Sequence, residues 1–265
     1  MIPTSSVIKK DSKVTLKGRW SVSIFVVSIL LVIYFICNYS AALLSFVAGD
    51  IIAQIFLYAL EIFLVYPIAL GGIRYFWRLL HDTEDNPIAI FYYISCKAVY
   101  WRALTLILNL ALKTLLYSLL LNIPFFIVKA LSHSFLYELI GLSVPFWAAN
   151  LTSVTVILRL ISNIALIFIM LKFYLAPMLF VADDNMESVE AVHMSSTISK
   201  KSYVDFIYLG FSFFGWILLS GLVIPMIFTL PYIALSYLIH SRFVISEYNT
   251  HIEQTSYNAY PSFTV

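Results

Sequence analysis

The chain has 265 residues, of which 62% are hydrophobic and only 11% are charged, and its formal net charge is +2. Soluble domains are about half apolar and about one quarter charged, so this composition excludes a water-soluble globular domain and predicts a protein surrounded by lipid. The small net charge gives no indication of nucleic-acid binding. The two cysteines, Cys37 and Cys96, are interpreted as packing residues rather than as a disulfide or a metal site.

The N-terminal segment, residues 1–19, is polar and basic, and it is predicted to be cytoplasmic. The apolar run after it is longer than a signal-peptide core and lacks a convincing cleavage site, so we predict a retained membrane helix. A membrane helix needs roughly 20 mostly apolar residues to cross about 30 Å of hydrocarbon. Residues 20–245 are therefore predicted to form one transmembrane helical domain with six spans: Trp20–Val47, Ile51–Trp77, Ala103–Ala130, Val154–Ala182, Phe206–Val223 and Pro225–Phe243.

The last two predicted spans are interrupted by Gly221, Pro225 and Pro231. Because proline removes a backbone donor and kinks a helix, this segment is predicted to be either a tight hairpin or a broken, re-entrant pair. Five spans are therefore the alternative to six. Residues 246–265 are polar and are predicted to be a disordered C-terminal tail.

Lysine and arginine are concentrated at the N-terminus, between spans two and three, and between spans four and five. The connections on the opposite side are nearly bare of them. Basic residues favour the cytoplasmic side in short loops. The distribution predicts a multi-pass protein of the cell membrane with both termini in the cytoplasm.

The two long cytoplasmic connections follow a similar pattern: a basic, aromatic helix end, an acidic turn, a short helix and then basic residues. In the first, Asn86 is a suitable N-cap and Pro87 suits the first helical position. In the second, Asp184 and Glu187 have capping-box spacing. Each connection is predicted to contain an amphipathic helix in the membrane interface, and the similarity suggests a duplicated unit.

An acidic cluster begins the second connection: Asp183, Asp184, Glu187 and Glu190. Acidic residues at a helix N-terminus oppose the positive end of the helix dipole, and this interpretation needs no ligand. The alternative is a site for a hard cation, because Glu187 and Glu190 share a helix face. Capping is favoured, since no known metal-ligand spacing is present.

Ionisable residues inside the predicted spans form a second candidate site. At about 1.5 Å per residue, Glu61 on span two and Lys113 on span three lie at similar depths near the midplane. Such residues are costly in lipid and usually face a bundle interior or a wet cavity. The hypothesis is a polar pathway or ligand site, and the alternative is a structural salt bridge with snorkelling near helix ends. The candidate residues are Glu61, Asn109, Lys113, Arg159 and Lys172.

Catalytic signatures are absent from the sequence, which has no H-E-x-x-H motif, Gly-rich phosphate loop or G-x-S-x-G motif. The five histidines are scattered and do not share metal-ligand spacing. The chain is therefore predicted not to be an enzyme, and no catalytic residue, metal or cofactor is expected.

Several segments resemble a family of bacterial integral membrane proteins, the domain-of-unknown-function 975 family. They lie between Tyr66 and Phe243 and read YPIALGGIRYFWRLLHD, LKFYLAPMLFVADDN, EAVHMSSTISKKSYVDF, LGFSFFGW and LPYIAL. The family's basic residue, proline and aspartate at one span end fall on Lys172, Pro177 and Asp183 or Asp184.

Other positions of the family pattern are matched by Ala191, Ser195, Trp216, Pro231 and Tyr232. The chain departs from the pattern in 199–202, where the family carries a glycine, and at 240–241, where His-Ser replaces Phe-Tyr. The resemblance implies a multi-pass bacterial membrane protein and implies no known activity.

The predicted fold is all-α: a multi-pass transmembrane helical bundle of about six spans with two cytoplasmic interfacial amphipathic helices. The favoured function is a non-enzymatic membrane component that binds lipid or a partner protein. The alternative is a small transporter or permease that uses the mid-membrane charges. The expected partners are the lipid bilayer and either another membrane protein or a second copy of the chain, but no nucleic acid.

Overall fold

The computed structural model describes residues 3–81, 86–132, 146–221 and 223–259. Every regular element in those residues is helical, which confirms the all-α class. The chain forms two compact units, one made of Met1–Leu108 and Tyr174–Val265 and the other of Asn109–Phe173. The first unit is therefore built from two separate stretches of sequence, and the second unit is inserted between them.

The α-helices are numbered in chain order: α1 (Ser5–Leu16), α2 (Trp20–Ala48), α3 (Asp50–Leu60), α4 (Tyr66–Leu79), α5 (Tyr92–Ser95), α6 (Lys97–Leu121), α7 (Ile123–Ser132), α8 (Phe146–Met170), α9 (Ala176–Ala182), α10 (Ser188–Ser212), α11 (Phe214–Leu219) and α12 (Val223–Ala259). A π-helical segment, Glu61–Val65, joins α3 to α4 without a break. Short 3-10 helices cover Pro87–Phe91 and Leu171–Phe173.

Five helical stretches in the described residues are long and apolar enough to cross a membrane, which indicates a membrane protein. They are Trp20–Ala48, Asp50–Leu79, Lys97–Leu121, Ser153–Ala182 and Pro225–Thr250. The first, second and fourth agree closely with the predicted spans. The predicted third span extends too far, because α6 ends at Leu121 and Pro124 lies near the start of the separate helix α7.

The predicted fifth span, Phe206–Val223, is not one helix. Helix α10 ends at Ser212, and α11 is a separate helix of 6 residues. Gly215 and Gly221 have low helix propensity, which disfavours a long uninterrupted helix here. The alternative of five spans therefore fits the described helices better than six.

The two connections predicted to hold similar interfacial helices are built differently. The first contains the 3-10 helix Pro87–Phe91, followed by the 4-residue α5. The Asn86 side chain accepts a hydrogen bond of 3.1 Å from the Ile88 amide, which confirms its capping role. The second connection is instead the start of a single 25-residue helix, α10, so it contains no separate short helix.

Helices are present at both ends of the described chain, and the one at the C-terminal end extends into the segment that was predicted to be disordered. In α1, Ile8, Ser12 and Leu16 recur every four residues and form a buried face. The Ser12 and Ser236 hydroxyls lie 2.7 Å apart, and this contact docks α1 on α12. At the other end, α12 runs to Ala259, so 246–259 of the predicted disordered tail are helical. Adding a residue to an established helix is much easier than starting one, which explains the extension.

Candidate functional site

An apolar cavity of about 390 Å³ lies in the first unit between α2, α4, α9 and α12. Its walls are almost entirely hydrocarbon. Lining residues include Leu30, Tyr34, Gly72, Phe76, Met178 and Ala234. Ligand pockets in proteins are typically about 300–1,000 Å³ and mostly apolar, so this cavity is large enough to hold a ligand.

Gly72 helps to keep the cavity open. A Cβ atom at this position would lie 2.9 Å from Leu30 Cδ1, so a larger residue would push the leucine side chain aside. The neighbouring Gly71 has a different role, because a Cβ there would lie 1.8 Å from the Ile90 carbonyl oxygen. That backbone cannot move away easily, so glycine at 71 is required for α4 to contact the 3-10 helix.

A second feature of the first unit is an arginine cluster, defined here as Arg74, Arg102, Tyr92, Tyr93 and Asp184. Arg74 is buried, and its guanidinium donates two hydrogen bonds to the Asp184 carboxylate, one of them 3.0 Å long. The Arg74 Cζ atom also lies 3.9 Å from the centre of the Tyr92 ring. Bidentate pairing and stacking of this kind suit arginine and not lysine. The pair joins the two cytoplasmic connections predicted from sequence.

Arg102 holds the turn that follows α9. Its guanidinium donates hydrogen bonds of 3.1 Å and 3.2 Å to the carbonyls of Asp183 and Met186, and its Cζ atom lies 4.6 Å from the Phe180 ring centre. The Asp183 carboxylate accepts a 2.8 Å hydrogen bond from the Asn185 amide. These hydrogen bonds fix the conformation of the turn from Asp183 to Met186.

Electrostatics in the arginine cluster follow from these contacts. The hydrogen bonds from Arg74 lower the pKa of Asp184 below its ordinary value, against the opposing effect of partial burial. Burial raises the pKa of Tyr93, and the nearby Arg74 guanidinium opposes that rise. Asp184 is therefore charged and paired at neutral pH.

The four acidic residues predicted as a cluster have separate roles. The capping box of Asp184 and Glu187 is not formed, because Arg74 occupies the Asp184 carboxylate and α10 begins with Glu187 as an N-cap that makes no side-chain hydrogen bond. Glu190 lies in the first turn of α10, where it opposes the helix dipole. Among the described residues, no group of three or more His, Cys, Asp and Glu side chains is arranged to hold a metal ion.

Glu61, from the predicted intramembrane site, belongs to the first unit. It is half-buried and is the first residue of the π-helical segment. Its carboxylate is close enough to interact electrostatically with Cys37 and Tyr66. The predicted pairing of Glu61 with Lys113 stays a prediction, because Lys113 belongs to the second unit.

The other four residues of that predicted site lie in the second unit. Asn109 and Lys113 are half-buried and one turn apart on α6, and the Lys113 ammonium lies 5.6 Å from the Phe173 ring centre. Arg159 is exposed on α8, with its Cζ atom 5.7 Å from the Phe125 ring centre. Lys172 is exposed in the 3-10 helix after α8. Lys113 and Arg159 thus each contact an aromatic ring, on different elements.

His240 is a buried polar residue that the sequence does not single out. Its side chain is 1% exposed, and neither ring nitrogen has a hydrogen-bond partner among the described residues. The ring lies between aromatic side chains, 6.1 Å from the centre of Phe206 and 6.3 Å from that of Tyr174. The family pattern described in the sequence analysis has Phe-Tyr where this chain has His240 and Ser241.

Sequence reasoning missed Arg74, Arg102 and the cavity. It used both arginines only as indicators of the cytoplasmic side. The position of Arg74 three residues before the end of the predicted apolar span Ile51–Trp77 was the available signal, since a buried arginine requires an acidic partner. A cavity is a property of shape between helices, and no sequence pattern encodes it directly.

The sequence matches one protein family over most of its length. The family described as "Protein of unknown function (DUF975)" matches residues 1–247. The chain belongs to this family. The match includes α1 and the first two spans, and therefore extends beyond the segments that carry the resemblance in the sequence. No curated protein and no solved structure matches the chain.

Proposed function

We propose that this protein is a non-catalytic component of the bacterial cell membrane that binds lipid, with an acyl chain occupying the apolar cavity of the first unit. The observation that carries the proposal is the cavity itself, about 390 Å³ in volume and lined by α2, α4, α9 and α12. Hydrocarbon surrounds membrane-spanning helices, so the acyl chain is the apolar molecule nearest to such a cavity.

The size of the cavity favours an acyl chain over a helix of a partner protein. One turn of α-helix is about 5.4 Å long and about 10 Å across, which is a cylinder of roughly 400 Å³. The cavity would therefore accept no more than one turn of a partner helix. A flexible hydrocarbon chain can fill an irregular space without leaving backbone hydrogen-bonding groups unsatisfied.

Photo-crosslinking tests this assignment. The purified protein is placed in nanodiscs that contain a phospholipid with a diazirine on its acyl chain, and the cross-linked peptides are mapped after illumination. We expect adducts in 230–238 of α12, which lines the cavity. The substitution Ala234→Phe should remove those adducts by filling the cavity.

Ala42→Phe is the matched control, because Ala42 is exposed on α2 and does not line the cavity. It should leave the adducts in 230–238 unchanged. Adducts confined to exposed positions such as Phe46, with none in 230–238, would contradict an acyl chain in the cavity. A stoichiometric protein partner or second copy in place of lipid, detected by native mass spectrometry, would favour the competing occupant.

A second candidate function is a small transporter, and one observation favours it. Glu61 begins a π-helical segment inside a candidate span. Single-turn π-helices within α-helices occur frequently at functional sites. If Glu61 and Lys113 act in transport, Glu61→Gln and Lys113→Met should each abolish substrate-dependent flux or ligand-induced stabilisation while the protein still inserts. Unchanged flux in both variants would contradict this function.

A further inference from the structure

Positive charge is concentrated at the N-terminal end of the chain. Residues 1–19 contain five lysine or arginine residues and one aspartate, whereas the whole chain has a formal net charge of only +2. The remaining residues therefore carry net negative charge. This asymmetry places a basic segment directly before α2, the first candidate span.

Two lysines of α1 are engaged within the protein. The Lys9 ammonium donates a hydrogen bond to the Ser212 carbonyl and lies 4.3 Å from the centre of the Phe213 ring. The Lys13 ammonium lies 5.6 Å from the centre of the Tyr232 ring. These contacts, together with the buried face of α1, fix the helix on α10 and α12. Its opposite face therefore has a defined orientation.

That opposite face consists of two neighbouring stripes. Val7 and Val14 are 45% and 63% exposed, and Lys10 and Lys17 are exposed beside them. Each pair is separated by seven residues, and at about 100° per residue the two stripes lie roughly 60° apart on the helix. The Lys10 and Lys17 side chains make no hydrogen bond, ion pair or ring contact with another residue in the described ranges. We call these four residues the outer face of α1.

We propose that the outer face of α1 binds the headgroups of anionic phospholipids, with Lys10 and Lys17 contacting the phosphates and Val7 and Val14 entering the interface beside them. Basic segments next to membrane spans are attracted to anionic lipid by roughly 1 kcal/mol, or about fivefold in affinity, for each lysine or arginine near the surface. Gly18 has a φ of +81°, and this left-handed conformation ends the helix so that α1 does not continue along α2. Gly49, in the turn between α2 and α3, has a similar φ of +84°. Only three residues separate α1 from α2, which keeps the outer face near the start of the span.

The test uses the full chain in uncharged detergent micelles. Binding of dioctanoyl phosphatidylglycerol and of dioctanoyl phosphatidylcholine is titrated by native mass spectrometry. We expect the wild type to prefer phosphatidylglycerol and the double variant Lys10→Gln/Lys17→Gln to bind it about 25-fold more weakly, at roughly fivefold for each lysine. Raising the salt concentration of the lipid titration from about 50 mM to about 500 mM should reduce the wild-type preference for phosphatidylglycerol, because salt screens exposed charges.

Lys200→Gln/Lys201→Gln is the matched control, since both residues are exposed on α10 and their substitution changes the charge equally. It should keep the preference for phosphatidylglycerol. Equal loss in this control, or an unchanged preference in Lys10→Gln/Lys17→Gln, would overturn the proposal. Glycerol 3-phosphate should not compete, because it lacks the acyl chains; strong competition would show a free-phosphate site instead.

The experiment also separates this inference from the proposed function. Ala234→Phe should weaken binding of both lipids through the cavity and leave the preference for phosphatidylglycerol intact. Failure of the cavity assignment would therefore leave the result for the outer face of α1 unaffected. Val7→Ser/Val14→Ser provides a second variant of the face, with an expected loss of affinity for both lipids and an unchanged response to salt.

Discussion

Two of the candidate spans, similar by length, have very different surroundings. In Pro225–Thr250, 56% of the 18-residue apolar stretch is buried within the protein, whereas in Ser153–Ala182 only 11% of the corresponding stretch is buried. The mean hydropathy is 1.2 for the stretch in Pro225–Thr250 and 2.4 for the one in Ser153–Ala182. The buried stretch includes Ser236, His240 and Ser241 on a protein-facing surface. A helix can thus be apolar either because it packs in a protein core or because it faces lipid. Of the two helices compared, the packed one, Pro225–Thr250, is the less hydrophobic.

The largest effect should come from the backbone contact that Gly71 permits. Gly71→Ala would place a methyl group against the Ile90 carbonyl, and we expect a loss of stability on the order of 4–5 kcal/mol, at the upper end for single substitutions. Gly215→Ala is the control, because a Cβ there meets no atom within 4 Å. That control should be neutral or gain about 0.5–1 kcal/mol from improved helix propensity. Thermal unfolding in detergent measures both.

Leucine truncation sharpens the comparison between packed and lipid-facing helices directly. Leu235 is fully buried on α12, and Leu160 is exposed on α8. Leu235→Ala should cost about 2–5 kcal/mol through the cavity that it creates. Leu160→Ala should change stability by less than about 1 kcal/mol, because lipid can fill the space. Equal losses in denaturant-induced unfolding would mean that both helices are packed.

The Arg74–Asp184 pair should contribute less than a fully buried ion pair, because the Asp184 side chain is 55% exposed. Asp184→Asn should cost about 1–2 kcal/mol at neutral pH, below the 3–5 kcal/mol of buried pairs. The pKa of Asp184 is lowered in the folded state, so its contribution is present above the ordinary value of 3.8 and is lost as the pH falls through the folded-state value. Unfolding midpoints between about pH 7 and pH 3 should therefore converge for wild type and variant. Glu190→Gln, a carboxylate without this partner, should not reproduce the difference.

The smallest effect, and the only stabilising one at a buried site, is expected at His240. His240→Phe removes two buried nitrogens that lack partners among the described residues, and it should raise stability by about 1 kcal/mol. His193→Phe, at an exposed position of α10, is the control and should be neutral. A loss of stability in His240→Phe, measured by thermal unfolding, would show that the imidazole nitrogens have partners in solution.

Sequence patterns predicted three of the four lipid-facing spans well and the packed helix α10 poorly. Three predicted spans match the structure within a few residues, since a run that must be apolar on all sides has an unambiguous signal. Helix α10 carries Glu190, Lys200 and Asp205 on exposed positions while Ser195 and Ser199 are buried, so its pattern resembled a loop followed by a span. Contacts such as Arg74 with Asp184 depend on which helices meet, and the chain order alone does not determine that.

The insertion of the second unit into the first has a consequence for biosynthesis. Arg74 and Asp184 are separated by 110 positions in the chain. At roughly 5–20 residues per second, the ribosome needs on the order of 10 s to add the aspartate after the arginine. During that interval α2, α3 and α4 have already been made, but the helices that complete their unit have not. The nascent protein must therefore hold an unpaired arginine at the membrane until Asp184 has been made, and an open apolar surface until the helices after Asp184 have followed.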